Sequence, residues 1–183
     1  MTSASATQFT YNLEPEEKVT SVIAYTQTGL FWGDVITKEQ IRVSTWLKTV
    51  AAPDRVQMHN ARLIHVIPSG KPAPIHFPEV YIPTADILIF HMVPPQTDPL
   101  DYDPSEPNRK MEPIVALVNN FRLDATIRIA QITNLGKYLD VVKEPFTSMY
   151  NVDITCPIMP SLGCMKVPYA MVRQQPAIFA SRS

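Results

Sequence analysis

Residues 121–142, FRLDATIRIAQITNLGKYLDVV, predict a strand, a turn and a helix in succession. Apolar and polar side chains alternate strictly over residues 121–129, as in a strand with one buried face. Apolar residues at helical spacing follow, namely Leu135, Tyr138, Leu139 and Val142. Thr133 or Asn134 stands where a residue would cap the start of this helix. A short amphipathic helix is therefore expected to pack against the strand.

The same order of elements occurs earlier in the chain, at residues 29–50. The two stretches align when the sequence is moved by 92 positions (116 − 24). The matched pairs are Ala24 and Ala116, Phe31 and Leu123, Val35 and Ile127, Val43 and Leu135, Trp46 and Tyr138, and Leu47 and Leu139. Further on, MHN at 58–60 matches MYN at 149–151 after a slip of one residue. We interpret the chain as a tandem duplication.

Each copy predicts about five strands and one short helix, so the fold class is mainly β (α+β). Strand-rich modules this short usually close into a small barrel or a strongly bent sheet, because an open sheet would leave edges exposed. The expected organisation is a flexible N-terminal arm over 1–18, a first module over 19–93, a Pro-rich acidic linker over 94–113 and a second module over 114–183. The second module is expected to begin with a strand over 114–118.

The composition is that of a soluble globular protein, with 45% hydrophobic and 18% charged residues. A net charge of −1 and scattered basic residues make nucleic acid an unlikely partner, because its binding depends on clustered Lys and Arg. No apolar run approaches the roughly 20 residues of a membrane span. The N-terminus lacks the basic-then-apolar order of a secretory signal, so a cytoplasmic protein is expected.

Residue patterns that carry known chemistry are not found in this sequence. The five glycines are dispersed and predict no phosphate-binding loop. His59 and His65, if they share a strand, lie about 20 Å apart by strand rise and cannot bind one metal ion. Cys156 and Cys164 are interpreted as two reduced thiols, with a single disulfide as the alternative. We therefore predict no catalytic residue, no cofactor and no metal site.

A hairpin containing Gly33, a Ser44-x-Trp46-Leu47 helix and a following strand through Ala61 resemble uncharacterised bacterial domains of small-barrel type. Gly33 and Val35 within one strand give a fainter similarity to Sm-like barrels. The resemblance covers the first half of each copy. It implies a small β fold, and it brings no assigned function and no catalytic residue.

One asymmetry between the copies points to a contact surface. The outward positions of the strand in the second copy are suited to water, and they are Arg122, Asp124, Thr126 and Arg128. The same positions in the first copy are Leu30, Trp32, Asp34 and Ile36. Because exposed apolar patches mark contact surfaces, we predict an interface of Leu30, Trp32 and Ile36. This face could pack against the second copy or the linker, meet another chain, or form a ligand groove.

These observations favour a non-enzymatic structural or protein-interaction protein that assembles through the surfaces of its β modules, by self-association or with another protein. The alternative is a module that binds a small molecule or single-stranded nucleic acid. Such a module needs a stripe of basic and aromatic side chains. Tyr25, Phe31 and Arg42 suggest such a stripe but do not complete it. An enzyme is the third and least favoured class.

Overall fold

The computed structural model describes residues 11–68 and 71–182 of the chain. Over these ranges the protein forms ten antiparallel strands in one sheet, one α-helix and three short 3₁₀ helices. The mainly β prediction is confirmed, and the ten strands form a sheet that is not closed as a barrel. Residues 1–10 of the predicted N-terminal arm lie outside the described residues.

Five strands form the first half of the fold. They are β1 (Glu17–Tyr25), β2 (Gly29–Lys38), β3 (Arg55–His65), β4 (Ile75–Pro83) and β5 (Ile89–Met92). The second half contains β6 (Arg109–Val118), β7 (Phe121–Ala130), α1 (Leu135–Val141), β8 (Phe146–Thr155), β9 (Cys164–Arg173) and β10 (Ala177–Ser181). The 3₁₀ helices are Val43–Lys48, Thr84–Asp86 and Pro160–Leu162.

The two halves have the same order of strands. The first half runs β5-β1-β2-β3-β4 across the sheet, and the second half runs β10-β6-β7-β8-β9. Pairing of β5 with β9 joins the halves into one sheet, whose outer strands are β4 and β10.

Both halves have an irregular position at the same place in equivalent strands, β3 and β8. Asn60 in β3 has φ 48° and Asn151 in β8 has φ 50°, the left-handed region that Asn tolerates better than most residues. The pairing of β2 with β3, and of β7 with β8, shifts register there. Gly33 lies opposite the first shift, where a Cβ atom would be 2.8 Å from the carbonyl oxygen of His59. Such bulges bend and twist a sheet, so both halves are bent at matching positions.

The helical segments of the two halves differ in kind. In α1, Asn134 accepts a hydrogen bond from the backbone N–H of Lys137 at 3.0 Å, so the predicted cap is confirmed. The matching segment, Val43–Lys48, is a 3₁₀ helix that begins after Arg42 without a side-chain cap. The backbone N–H of Ser44 in its first turn donates instead to the carboxylate of Asp98, at 2.8 Å, in the segment between the halves.

Strand β6 begins at Arg109, five residues before the predicted start at 114. Pro113 lies inside this strand, opposite Thr126 of β7. Pairing with β10 covers only residues 114–118 of β6, so the earlier residues of β6 have no strand on that side in the part of the chain that the structure describes. A proline that donates no hydrogen bond is tolerated at such an edge.

Each half encloses a core to which the other half contributes. The first core is composed mainly of side chains of the first half, to which Phe146 and Met171 are added. The second core is composed mainly of side chains of the second half, to which Ile23, Tyr25, Leu30, Leu88 and Ile89 are added. The two halves are therefore packed together through side chains as well as through backbone pairing.

Candidate interaction surface

The contact between β5 and β9 is an edge-to-edge pairing of two strands that are distant in sequence. The paired residues are Ile89 with Val172 and Phe90 with Met171, and all four are fully buried. Beyond them, the backbone N–H of Arg173 donates to the carbonyl oxygen of Leu88 at 2.8 Å. The Arg173 guanidinium also donates to the carbonyl oxygen of Ile87 at 2.8 Å. We call this contact the internal junction.

Strand β1 has buried side chains on both faces because it adjoins the internal junction. Val22 and Ala24 belong to the first core, whereas Ile23 and Tyr25 belong to the second. The ring of Tyr25 packs edge-on against Phe121, with ring centres 4.8 Å apart. The interface predicted from the sequence does not include these residues. Their signal is the unbroken apolar run VIAY, which is typical of a strand buried on both faces.

His91 in β5 is a buried neutral imidazole beside the internal junction. The Met92 carbonyl can only accept a hydrogen bond, so Nδ1–H of His91 donates to it at 2.8 Å. Nε2 then accepts from the hydroxyl of Tyr25 at 3.1 Å. Burial lowers the pKa of His91 to about 4, although the bond to Met92 opposes this shift. Burial also raises the pKa of Tyr25. The pair is therefore an uncharged hydrogen-bonded unit inside the core.

The three residues predicted as an interface have different environments. Leu30 is only 8% exposed and packs in the second core, so its side chain is covered by the second half of the same chain. Trp32 is 38% exposed, with the Arg62 guanidinium 5.8 Å from the centre of its ring. Ile36 is half-buried. Trp32 is thus the most accessible of the three.

Asp34 lies between Trp32 and Ile36 and is engaged by two hydroxyl groups. Tyr11 donates to its carboxylate at 2.6 Å, and Ser21 donates to the other carboxylate oxygen. Burial, together with the hydrogen bond to Asp34 and its charge, raises the pKa of Tyr11 to about 12. This polar group separates the two apolar side chains on the surface.

The matching face of β7 in the second half carries ion pairs. Arg122 donates to both carboxylate oxygens of Asp124, at 2.9 and 3.0 Å, and this lowers the pKa of Asp124 below its usual value. Arg128 pairs with Glu106 and lies 4.6 Å from the centre of the Tyr102 ring. These side chains are partly solvated, as the alternating sequence indicated.

Large apolar side chains are exposed at the two outer ends of the sheet. Tyr81 in β4 is 55% exposed, Ile178 in β10 is 66% exposed, and Leu117 in the neighbouring β6 is 45% exposed. Unpaired strand edges with exposed apolar residues are sites where another chain can add a strand. We call the two outer strands the β4 edge and the β10 edge.

A cavity of about 360 Å³ lies beside the β4 edge. Its walls are the turn between β1 and β2, the segment 80–83 of β4, Phe31 and Leu88. Several of these residues are apolar, and the cavity is within reach of the exposed Tyr81. It is large enough to admit an apolar side chain from another molecule.

A polar cluster around Asp101 connects the segment between the halves to β8 and β9. Tyr150 donates to one carboxylate oxygen at 2.8 Å, and Tyr169 lies 3.4 Å from the other. Ser148 is 2.6 Å from the Tyr169 hydroxyl and accepts from Lys48 at 2.9 Å. The adjoining cavity has a volume of about 40 Å³, which is far below that of an ordinary ligand pocket. The cluster therefore fastens the connecting segment to the sheet.

We expect Asp101→Ala to lower the free energy of unfolding by about 1–3 kcal/mol, because the partly buried hydroxyl of Tyr150 loses its acceptor. Chemical denaturation measures this change. Asp140→Ala, at an exposed position in α1, is the control and should have an effect below about 0.5 kcal/mol. Equal effects of the two substitutions would mean that the Asp101 cluster does not contribute to stability.

The remaining candidate groups do not come together in a reactive site. His59 is buried and lies 3.5 Å from Glu79, whereas His65 is exposed and contacts the carbonyl oxygen of Thr28. Cys156 is buried and Cys164 is exposed, and neither is in a disulfide. Over residues 11–68 and 71–182, no group of three or more His, Cys, Asp or Glu side chains is arranged to bind a metal ion. Within the same ranges no helix is long and apolar enough to cross a membrane.

Comparison of the chain with family models, with curated proteins and with solved structures finds no match. The class of protein is therefore defined by the fold alone, as a mainly β chain with one continuous antiparallel sheet.

Proposed function

We propose that this chain is a non-enzymatic structural or protein-interaction protein that assembles through the surfaces of its β modules. The observation that supports this function is the exposure of large apolar side chains along two sheet edges that pair with no other strand of the described residues. A side chain such as Ile178 gains about 25 cal/mol for each Å² of apolar surface that a partner removes from water. The partner is another copy of the chain or another protein.

The proposal includes two copies of one barrel-like module, produced by duplication. The matching strand orders and the bulges at Asn60 and Asn151 support this view. Curvature within one half supports the barrel-like form. Ile82 of β4 and Phe90 of β5 are at opposite ends of the strand order of the first half, yet both belong to the first core.

A small-molecule binding module is the second candidate, and the cavity beside the β4 edge supports it. Its volume of about 360 Å³ is at the lower end of the range of ligand pockets, which is roughly 300–1,000 Å³. Native mass spectrometry of the purified protein tests this function. A retained additional mass that disappears on denaturation would favour the ligand, whereas a mass that is a whole multiple of 20.6 kDa would contradict the small-molecule function.

Light scattering coupled to size exclusion tests assembly. We expect a mass above the 20.6 kDa of one chain. Where the contact runs through the predicted interface, Trp32→Glu should reduce this mass, because a carboxylate at an exposed contact must be desolvated. Ile132→Glu, at a highly exposed position before α1, is the control and should keep the mass of the unmodified protein. If both the unmodified protein and Trp32→Glu are folded monomers, the assembly function is wrong.

A further inference from the structure

The outer edges of the sheet correspond, position by position, to the two strands of the internal junction. Val172 of β9 pairs with Thr147 of β8, as Ile82 of β4 pairs with Val56 of β3. On the other side, Ile89 of β5 pairs with Tyr25 of β1, and Ile178 of β10 pairs with Leu117 of β6. The β4 edge is therefore the counterpart of β9, and the β10 edge is the counterpart of β5.

Side chains that are buried at the internal junction have exposed counterparts at the outer edges. Tyr25, Ile89 and Met171 are buried where β5 meets β9. The residues at the equivalent positions of the other half are Leu117, Ile178 and Tyr81, in that order, and all three are exposed. The apolar character is retained at each position although no neighbour within residues 11–68 and 71–182 covers it. This agreement indicates that the β4 edge and the β10 edge pair with strands of the same kind as those that meet at the internal junction.

The cavity beside the β4 edge has an occupied counterpart in the second half. There, Tyr25 and Ile89 of the first half pack in the second core with Val118, Phe121 and Leu123. The cavity of the first half is lined by Thr26, Phe31 and Ile82. Their equivalents in the second half are Val118, Leu123 and Val172, which belong to the second core. Leu117 and Ile178 are the counterparts of the side chains that fill the second half. They are thus the natural occupants of this cavity, supplied by a second chain.

We propose that β10 of one copy of this chain pairs antiparallel with β4 of the next, as β5 pairs with β9 within the chain. The register follows from the internal junction, with Ile178 opposite Ile82 and Phe179 opposite Tyr81 of the neighbour. This inference rests on the proposed function and specifies its partner as a second copy. Because the two edges differ, the contact is head-to-tail, and its repetition produces a closed ring or a filament.

Two prolines limit the strength of this contact. Pro83 is the counterpart of Arg173, whose backbone N–H donates to Leu88 at the internal junction. A proline cannot donate that bond, so the contact between copies lacks it. Pro78 and Pro83 bound the segment available for pairing in β4. The assembly is therefore weaker than the internal junction and should depend on protein concentration.

Charged variants at the two edges test this arrangement. Tyr81→Glu blocks the β4 edge and leaves the β10 edge intact, whereas Ile178→Glu does the reverse. Light scattering of each variant alone is expected to give a monomer of 20.6 kDa. An equimolar mixture is expected to give a dimer of 41.2 kDa (2 × 20.6), because one intact edge of each kind remains. Such complementation is specific to a head-to-tail contact.

Controls separate folding from assembly. Both positions are exposed, so circular dichroism and thermal unfolding of the dilute variants should match the unmodified protein, and Ile132→Glu should keep its mass. If a Glu variant does not fold, Tyr81→Ser and Ile178→Ser take its place.

The outcomes distinguish this inference from the function on which it rests. Variants that keep the assembled mass, or monomeric variants whose mixture forms no dimer, would overturn the head-to-tail contact and leave assembly through Trp32 standing. An unmodified protein that is monomeric at every attainable concentration would overturn both.

Discussion

Phe90→Ala is expected to lower the free energy of unfolding by about 3–5 kcal/mol, as is typical of large-to-small substitutions of a buried Phe. Phe90 is fully buried and packs in the first core. It also pairs with Met171 across the internal junction, so its removal leaves a cavity between the two halves. Urea denaturation followed by circular dichroism measures the loss.

Phe179→Ala is the matched control for this substitution. Phe179 is at the equivalent position of β10 but is only half-buried in the chain. At dilute protein concentration its truncation should cost clearly less than that of Phe90. Equal losses, or an unchanged midpoint for Phe90→Ala, would contradict the internal junction as described.

The second large effect is a loss of stability on acidification, which we assign to His91. The folded pKa of about 4 is below the ordinary value of 6.5, so the unfolded chain binds the proton more readily. The contribution of neutral His91 to stability is therefore full above about pH 6.5 and is lost as pH falls towards 4. A difference of about 2.5 pH units corresponds to about 3 kcal/mol.

His91→Gln isolates this contribution because glutamine does not titrate. Free energies of unfolding measured from pH 7 to pH 4 should decline less steeply in the variant than in the unmodified protein. His65→Gln, at an exposed position, should follow the unmodified profile. Parallel profiles for His91→Gln and the unmodified protein would mean that His91 is protonated in the fold or titrates normally.

Local elements of this fold could be predicted because their causes lie close together in sequence. The alternation over residues 121–129 predicts β7, and Asn134 caps α1 through a bond to a residue only three positions away. Strand β6 begins five residues earlier than the sequence predicts, because Pro113 is accommodated inside the strand. Pro113 is tolerated because β10 pairs only with residues 114–118 of β6. The sequence around Pro113 does not show where β10 ends.

The candidate surface was harder to predict because its partners are distant in sequence. The outward apolar positions of β2 indicated a contact, but they do not identify what covers Leu30. The same problem applies to the connection between β5 and β9, since an edge strand has no residue pattern that names its neighbour. The apolar counterparts at positions 25 and 117, and at 89 and 178, become informative only when the strand order is known.

Pairing of β5 with β9 also has a consequence for the newly made polypeptide. Phe90 is synthesised 81 residues (171 − 90) before Met171, its partner. At a synthesis rate of roughly 5–20 residues per second, about 4–16 seconds pass before β9 can cover the first half. During that time Ile23, Tyr25 and Ile89 have no second core to enter, and the edge of β5 is open. The nascent chain is therefore most vulnerable to aggregation after its first half has been synthesised and before its second half is complete.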